Sequence, residues 1–429
     1  LYLQNFLSPL KYFGTDGIRG VYGEKLNDEL CIKVGYALSR ICKKPKIIVG
    51  RDTRESGEKI LKSLADGIAS GNGEVYDAGV ISTAGIAFLT RFLGFDYGVV
   101  ITASHNPSEY NGIKIFNKNG YKLNENQEIL LENNVILPKK IKMAQVKKIK
   151  NDAYLEHLNS VCKYNLKNLK VFIDCSNGAI SDYAIDVIKN TGAKVVAINT
   201  KGEINKNASV LNESVFVENM KKSKCDIGFC FDGDADRIMC ITKNLQVLDG
   251  DKILYILSKY KKEKCVVGTI MTNLAIEKHL KNNGTKLIRT VVGDKHIARI
   301  IKSKKYKFGA ESSGHVIISD LTTTGDGLLT ALYLLNVYKE RPKLFYNAEQ
   351  LNIYSTLSIS VPTTNVSVLK NLNVVSVIKK QERVLGKSGR VIVRASGTEP
   401  KIRITVECKN KEKVQKCAKI IEEVIVKSI

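Results

Sequence analysis

Three times along this 429-residue chain, an apolar run, an amphipathic helical stretch and a second apolar run follow one another. In the first round "KIIVG" (46–50) reads as a strand, "SGEKILKSLADGIASG" (56–71) as a helix with a serine cap and a glycine stop, and "EVYDAGV" (74–80) as a strand. The second opens at "LKVFIDC" (169–175), passes a helix near 180–190 and returns as "AKVVAIN" (193–199). "CDIGFCF" (225–231) then enters a loop, and "RIMCITKNLQVL" (237–248) reads as a hairpin turning at Asn244. The third runs from "CVVGTIM" (265–271) through a helix to "TKLIRTVV" (285–292). The rhythm predicts an α/β protein of three related α/β domains with mixed sheets. The last stretch changes character: "LSISVP" (357–362), "GRVIVRAS" (389–396) and "KIRITVEC" (401–408) read as strands, and "KEKVQKCAKIIEEVIVKSI" (411–429) as an amphipathic closing helix, a smaller α+β domain. The expected divisions are 11–150, 151–252, 253–350 and 351–429, with linkers near 138–151 and 347–357 and a helix from Asp251 crossing 250–258.

Bulk properties narrow the function classes. No apolar run approaches the roughly 18–20 residues that cross a bilayer. The opening "LYLQNFLSPL" has no basic flank and reads as an extension or truncated start, not a signal peptide. Ten cysteines are scattered without a CxxC pair, the pattern of reduced core thiols in a cytoplasmic protein. The net charge of +24 raises nucleic acid or anionic lipid as partners. The basic runs "KKPK" (43–46), "KKIKMAQVKKIK" (139–150) and "KKEK" (261–264) are local, however, and no aromatic side chains interleave with them as a single-strand platform requires. Neither nucleic acid nor membrane is expected as a partner; phosphorylated small molecules suit the charge.

"FDGDADR" (231–237) packs Asp232, Asp234 and Asp236 into five residues. Carboxylates this close repel unless a cation sits among them, and oxygen ligands on a small-residue loop suit Mg²⁺. A calcium EF-hand is excluded, because Arg237 stands where glycine is needed and Lys243 where glutamate is needed. An acidic turn capping the next element is the plainer reading. Three carboxylates leave open positions on an octahedral ion, and Ser104 in "TASHNP" (102–107) is a candidate donor, better still as phosphoserine. Its hydroxyl needs a base or a metal to act, and His105 stands beside it. A Ser–His pair before Asn-Pro also suits the plain end of a strand. "RASGTEPKIR" (394–403) sets Ser396, Gly397 and Thr398 between Arg394 and Arg403, a phosphate cradle or an ordinary hairpin turn. "FGTDGIRG" (13–20) offers Arg19, "GRDTR" (50–54) adds Arg51 and Arg54, and "GAESSGH" (309–315) carries Glu311, Ser313 and His315 on a loop able to bind sugar hydroxyls or cap a turn.

Together, and in this order, these segments resemble the α-D-phosphohexomutase superfamily over nearly the whole chain. Within it, "YFGTDGIRG", "VVGDK" (291–295) and "GAESSGHVIISDLTTTGDG" (309–327) are most similar to the branch acting on glucosamine phosphates. "GAESSGH" has Ser312 where that branch more often has Gln, and "EINKNASVLNES" (203–214) lacks a usual glycine. The resemblance implies four domains around a central cleft, phosphorylation of Ser104, and one Mg²⁺ held by Asp232, Asp234, Asp236 and a phosphoserine oxygen. It implies that Glu311 and Ser313 bind sugar hydroxyls. Arg394, Ser396, Gly397, Thr398 and Arg403 would grip the phosphate not being transferred. Arg19, His105, Lys114, Arg237 and Lys295 would line the transfer site, with His105 and Lys295 as candidate bases. The implied reaction exchanges glucosamine 6-phosphate and glucosamine 1-phosphate through a hexose or hexosamine 1,6-bisphosphate, in a monomer or homodimer. The same chemistry on glucose or mannose phosphate is the nearest rival, and a sugar phosphatase a more distant one.

Overall fold

The computed structural model describes residues 10–14, 16–396 and 400–429. They form two compact units, one of residues 10–272 with 283–350, the other of residues 273–282 with 351–429.

The larger unit carries three sheets. The first holds β1 (Ile18–Val21), β2 (Lys46–Arg51), β3 (Glu74–Val80), β4 (Tyr97–Ile101), β5 (Tyr110–Asn117) and β6 (Val146–Lys148), in the order β1-β5-β4-β2-β3-β6. The second holds β7 (Lys170–Asp174), β8 (Lys194–Ile198), β9 (Ile227–Phe231), β10 (Ile238–Thr242) and β11 (Val247–Leu248), in the order β11-β10-β9-β7-β8. The third holds β12 (Cys265–Thr269), β13 (Lys286–Thr290), β14 (Phe308–Ala310) and β15 (Val316–Ile318), in the order β13-β12-β14-β15. One pattern is common to all three. Two parallel strands joined by a helix lie beside a third parallel strand, and that third strand turns back into an antiparallel partner: β2, β3, β4, β5; β7, β8, β9, β10; β12, β13, β14, β15. The expected relatedness of the three α/β domains is thus visible as a shared strand order.

The central strands are covered on both faces, so they read as unbroken apolar runs: Val99, Val100 and Ile101 of β4 and all five residues of β9 are buried. Around the first sheet, helices Asp28–Ile41 and Gly57–Ser70 supply Leu30, Val34, Leu38, Ile60, Leu64 and Ile68 to one continuous core. Helix Gly250–Lys261 runs unbroken across 250–258.

Two local expectations are corrected. Residues 138–151 are not simply a linker, because Val146–Lys148 adds to the edge of the first sheet, parallel to β3. All three of its residues are exposed, so the strand rests on backbone pairing that hydropathy does not reveal. Ser56 stands at the N-cap of Gly57–Ser70 but makes no cap bond; its Oγ instead accepts a hydrogen bond from Asn111 Nδ2 at 2.9 Å.

The smaller unit pairs β16 (Ser355–Pro362), β17 (Gly389–Ala395) and β18 (Lys401–Cys408) in an antiparallel sheet of order β16-β18-β17. Helices Leu372–Leu385 and Lys411–Val426 pack on it through Val374, Ile378, Ile421 and Ile425 against Ile402, Ile404 and Val406. The chain is an α/β protein with three mixed-sheet domains and a C-terminal antiparallel α+β domain. Among the described residues no helix is long and apolar enough to cross a membrane.

Candidate active site

The loops singled out by composition occupy one equivalent place in the three sheets. Ser104 follows β4, Asp232 follows β9 and Glu311 follows β14, each where a parallel strand ends and the chain turns into its antiparallel neighbour. The carboxyl ends of parallel strands beside a change in direction are where α/β sheets leave space for ligands.

Ser104 is fully buried and sits at φ 54°, a left-handed conformation that costs a side-chain-bearing residue roughly 1–3 kcal/mol. Its Oγ donates to Asp232 Oδ2 at 2.6 Å and lies 3.3 Å from His105 Nδ1, although Ser104 and Asp232 are 128 residues apart. Asp232, Asp234 and Asp236 are all buried, and one oxygen of each lies within 4.8 Å of the others. The Asp234 carboxylate also accepts from Thr83 Oγ1, and Asp232 Oδ1 from the Arg237 N–H at 3.1 Å. Gly233 permits the close approach of the two loops, since a Cβ there would stand 2.7 Å from the Ser104 carbonyl oxygen. The plain readings, an acidic cap and a strand end, do not explain this convergence. Oδ1 of Asp234 and Oδ1 of Asp236 are buried and accept no hydrogen bond. Hard carboxylate oxygens with lone pairs to spare fit a divalent cation such as Mg²⁺.

A ring of alternating charge surrounds the triad. Lys114 Nζ lies 2.7 Å from Asp234, 3.0 Å from Asp236 and 3.0 Å from Asp16. Asp16 also binds Lys122, whose ammonium lies 2.7 Å from Asp294. His315 closes the ring, with Nε2 at 3.1 Å from Asp294 and Nδ1 at 3.6 Å from Asp236. Burial opposes the Lys114 charge, but Asp16, Asp234 and Asp236 outweigh it and hold the ammonium protonated. Burial likewise opposes protonation of His315, which Asp294 and Asp236 overcome, lifting it to about 10. The Gly325 N–H points at the same Nε2 at 2.8 Å, a contact suited to a neutral ring; two carboxylates outweigh one amide dipole. Asp232 is pushed up to about 8, first by burial and then by Asp234 and Asp236. His105 is pushed down to about 4 by burial, Arg237 and Arg19.

These shifts set a sign for stability without metal. Asp232 and His315 bind protons more tightly folded than unfolded, so both lose stabilisation as pH rises from 6.5 to 8. Below 6.5, His105 opposes Asp232, because its folded form resists protonation. Asp236 and Asp294 are held low and stay ionised throughout. We therefore expect folding stability in chelator to fall by about 2–4 kcal/mol between pH 6.5 and 8. Saturating Mg²⁺ should flatten the slope by keeping Asp232 ionised. Urea midpoints with and without Mg²⁺ measure this, and equal slopes would remove the triad as the cause.

The remaining candidates are placed as follows. Arg19 binds Asp16, and Arg237 Nε lies 3.8 Å from Asp236 and 4.0 Å from Asp232. Lys295 is ion-paired with Glu128 at 3.0 Å. Glu311 is half-buried and accepts from the Gly293 N–H at 2.9 Å; Ser313 is exposed. In the smaller unit, Arg394 on β17 stands opposite Arg403 on β18, and the Ser396 N–H donates to the Lys401 carbonyl at 2.8 Å. Gly397 and Thr398 lie outside the described residues. Sequence reasoning missed Lys122, Asp294, Glu128 and Thr83. Asp294 sits in the quoted "VVGDK", but Lys122 is one lysine among many and carries no local signal.

Comparison with known proteins identifies the family. The four phosphoglucomutase/phosphomannomutase domain families match in order: α/β/α domain I at residues 10–139, domain II at 152–246, domain III at 249–351 and the C-terminal domain at 359–424. The phosphoglucosamine mutase of Clostridium botulinum (strain Loch Maree / Type A3) is 39% identical over 98% of this chain and 99% of its own. That of Geobacillus thermodenitrificans is 36% identical over 97% and 98%. A solved phosphoglucomutase/phosphomannomutase family protein from Burkholderia thailandensis shares the fold with a TM-score of 0.80 at 21% identity, covering 97% of this chain and 96% of that one. Aspergillus fumigatus N-acetylphosphoglucosamine mutase, solved in complex with GlcNAc-6P and magnesium, superposes with a TM-score of 0.67 at 17% identity over 99% and 97%. With four matching domains in the family's order and relatives of this identity over nearly its full length, the chain belongs to the phosphoglucomutase/phosphomannomutase superfamily and is a phosphohexomutase isomerase.

Proposed function

We propose that the protein interconverts glucosamine 6-phosphate and glucosamine 1-phosphate through phosphorylated Ser104. The observation that carries the reading is the buried Ser104 hydroxyl 2.6 Å from Asp232, one member of the carboxylate triad. Full-length relatives named as phosphoglucosamine mutases support the choice of sugar.

Phosphoserine 104 gives its phosphoryl group to the free hydroxyl of the bound sugar phosphate: the Ser104 Oγ–P bond breaks, a sugar O–P bond forms, and the hydroxyl proton passes by way of the base to the released Ser104 oxygen. The resulting hexosamine 1,6-bisphosphate turns over and returns its other phosphate to Ser104; the same compound primes the enzyme. Asp232, Asp234 and Asp236 would hold Mg²⁺, which when bound would supply positive charge against the phosphoryl oxygens. Lys114, Arg19 and Arg237 add fixed cations around the same space. His105, held neutral beside Ser104 Oγ, is our candidate base, and a phosphoryl dianion next to it increases its basicity. Lys295, paired with Glu128, serves instead as a cation for the sugar phosphate. Glu311 and Ser313 contact sugar hydroxyls, and Arg394, Ser396, Gly397, Thr398 and Arg403 hold the phosphate that is not transferred.

The test is an assay of glucosamine, glucose and mannose phosphates side by side, with intact mass of the purified protein. We expect a single phosphoryl adduct and kcat/KM for glucosamine phosphate at least about tenfold above the neutral sugars. Faster turnover of glucose or mannose phosphate overturns the sugar assignment. Steady release of free phosphate without isomerisation overturns the mutase reading.

A further inference from the structure

Ser104 is held in its left-handed conformation by groups with no part in the chemistry above. Arg54 is buried at the end of β2, and all five of its guanidinium N–H donors are engaged. Nε donates to Asp52 Oδ2 at 3.0 Å. Nη1 donates to the carbonyl of Pro107 and, at 2.8 Å, to that of Tyr110. Nη2 donates to the carbonyls of Ser104 at 2.9 Å and Asn106 at 2.8 Å. One side chain thus gathers four carbonyls of the serine loop. The amide side of Ser104 is tied to the same pair: its N–H donates to Thr102 Oγ1 at 2.9 Å, and Thr102 Oγ1 donates to Asp52 Oδ2 at 2.6 Å.

A second clamp arrives from the loop whose departure from the usual pattern left it without a role. Asn205, buried and at φ 62°, donates Nδ2 to the carbonyls of Ser104 at 2.8 Å and Asn106 at 2.9 Å. Ser108 Oγ also donates to Glu203 Oε1 at 2.7 Å. The Ser104 carbonyl therefore accepts from Arg54 and Asn205 together, while Gly233 leaves room for it. An ion pair with both side chains fully buried, as Asp52 and Arg54 are, is poor value for stability alone. Here it fixes geometry.

We propose that Arg54 and Asn205 are positioning residues: they hold the Ser104 peptide so that Oγ, loaded or unloaded, keeps its aim at the Asp232–Asp236 loop. This rests on the phosphoserine reading above. Lysine cannot replace Arg54, since a point charge on a flexible stem cannot span four carbonyls.

The experiment compares wild type, Arg54→Lys and Asn205→Ala by steady-state kinetics and by hydrogen exchange of the peptide spanning 102–112. That peptide holds the hydrogen-bonded amides of Ser104, Asn106 and Tyr110. We expect kcat to fall about 10- to 100-fold in each variant with KM within about threefold, because a misplaced phosphoryl carrier slows transfer more than sugar binding. Exchange should quicken at 102–112 and not elsewhere. If Arg54→Lys fails to fold, Asn205→Ala decides alone. A folded variant with kcat within about threefold of wild type, or with exchange quickened throughout the molecule, overturns the proposal. Absence of sugar turnover in wild type refutes the function reading instead, and the exchange pattern still judges the clamp.

Discussion

Alanine at position 104 is expected to abolish isomerisation, by at least about 10⁴-fold in kcat, while the protein stays folded. The magnitude follows from the absence of a substitute at that position. In the proposed cycle Oγ carries the phosphoryl group, and His105, 3.3 Å from it, cannot hold that group and serve as the base for the sugar hydroxyl at the same time. The structural effect is small in comparison. Alanine removes one hydroxyl and its hydrogen bond to Asp232, worth about 1–2 kcal/mol to a carboxyl group, and leaves the backbone bonds of Ser104 in place. Intact mass should show the phosphoryl adduct in wild type and none in Ser104→Ala, with unfolding midpoints close together. Turnover comparable to wild type in the unphosphorylated variant would mean that Ser104 does not carry the phosphate.

How much of this was legible in the chain depends on whether the cause was local. The loops at Ser104, Asp232 and Glu311 were visible because each follows an apolar strand covered on both faces, and because three carboxylates in five residues are conspicuous. The threefold rhythm suggests related domains, but the equivalence of these loops is a property of strand order, which that rhythm does not specify. The charge ring was hidden for a related reason. Lys122 and Asp294, or Lys295 and Glu128, meet only through tertiary packing, and a buried lysine looks the same in sequence as the many lysines on solvated faces. Arg54 and Asn205 were hidden because their partners are carbonyl groups, which every residue has. The short edge strand Val146–Lys148 carries no apolar pattern in sequence because its stability rests on the ladder to β3.

The second large effect is expected at Lys114, and it separates charge balance from shape. Methionine would keep an unbranched side chain of similar length while removing the ammonium. In the structure five carboxyl groups, Asp16, Asp232, Asp234, Asp236 and Asp294, with Asp232 pushed up to about 8, face five cationic groups, Lys114, Lys122, His315, Arg19 and Arg237. Lys114 is 1% exposed and touches three of those carboxylates at once. Taking away one partner of a buried charge pair costs about 3–5 kcal/mol, and here Asp16, Asp234 and Asp236 would lose the cation they share. Lys114→Met should therefore lower metal-free stability by about that amount. The same imbalance strengthens the attraction of the triad for a divalent ion, and a ligand that binds the folded state adds RT ln(1 + [L]/Kd) to its stability. Added Mg²⁺ should consequently recover part of the loss, and the Mg²⁺-induced rise in the urea midpoint should be larger in Lys114→Met than in wild type. The metal restores charge without restoring a fixed cation beside Asp16, so isomerase activity should stay at least about 100-fold down even in saturating Mg²⁺. A metal-free variant as stable as wild type would show that the carboxylates shed their charge by taking up protons, and that the ring does not depend on Lys114 for its balance.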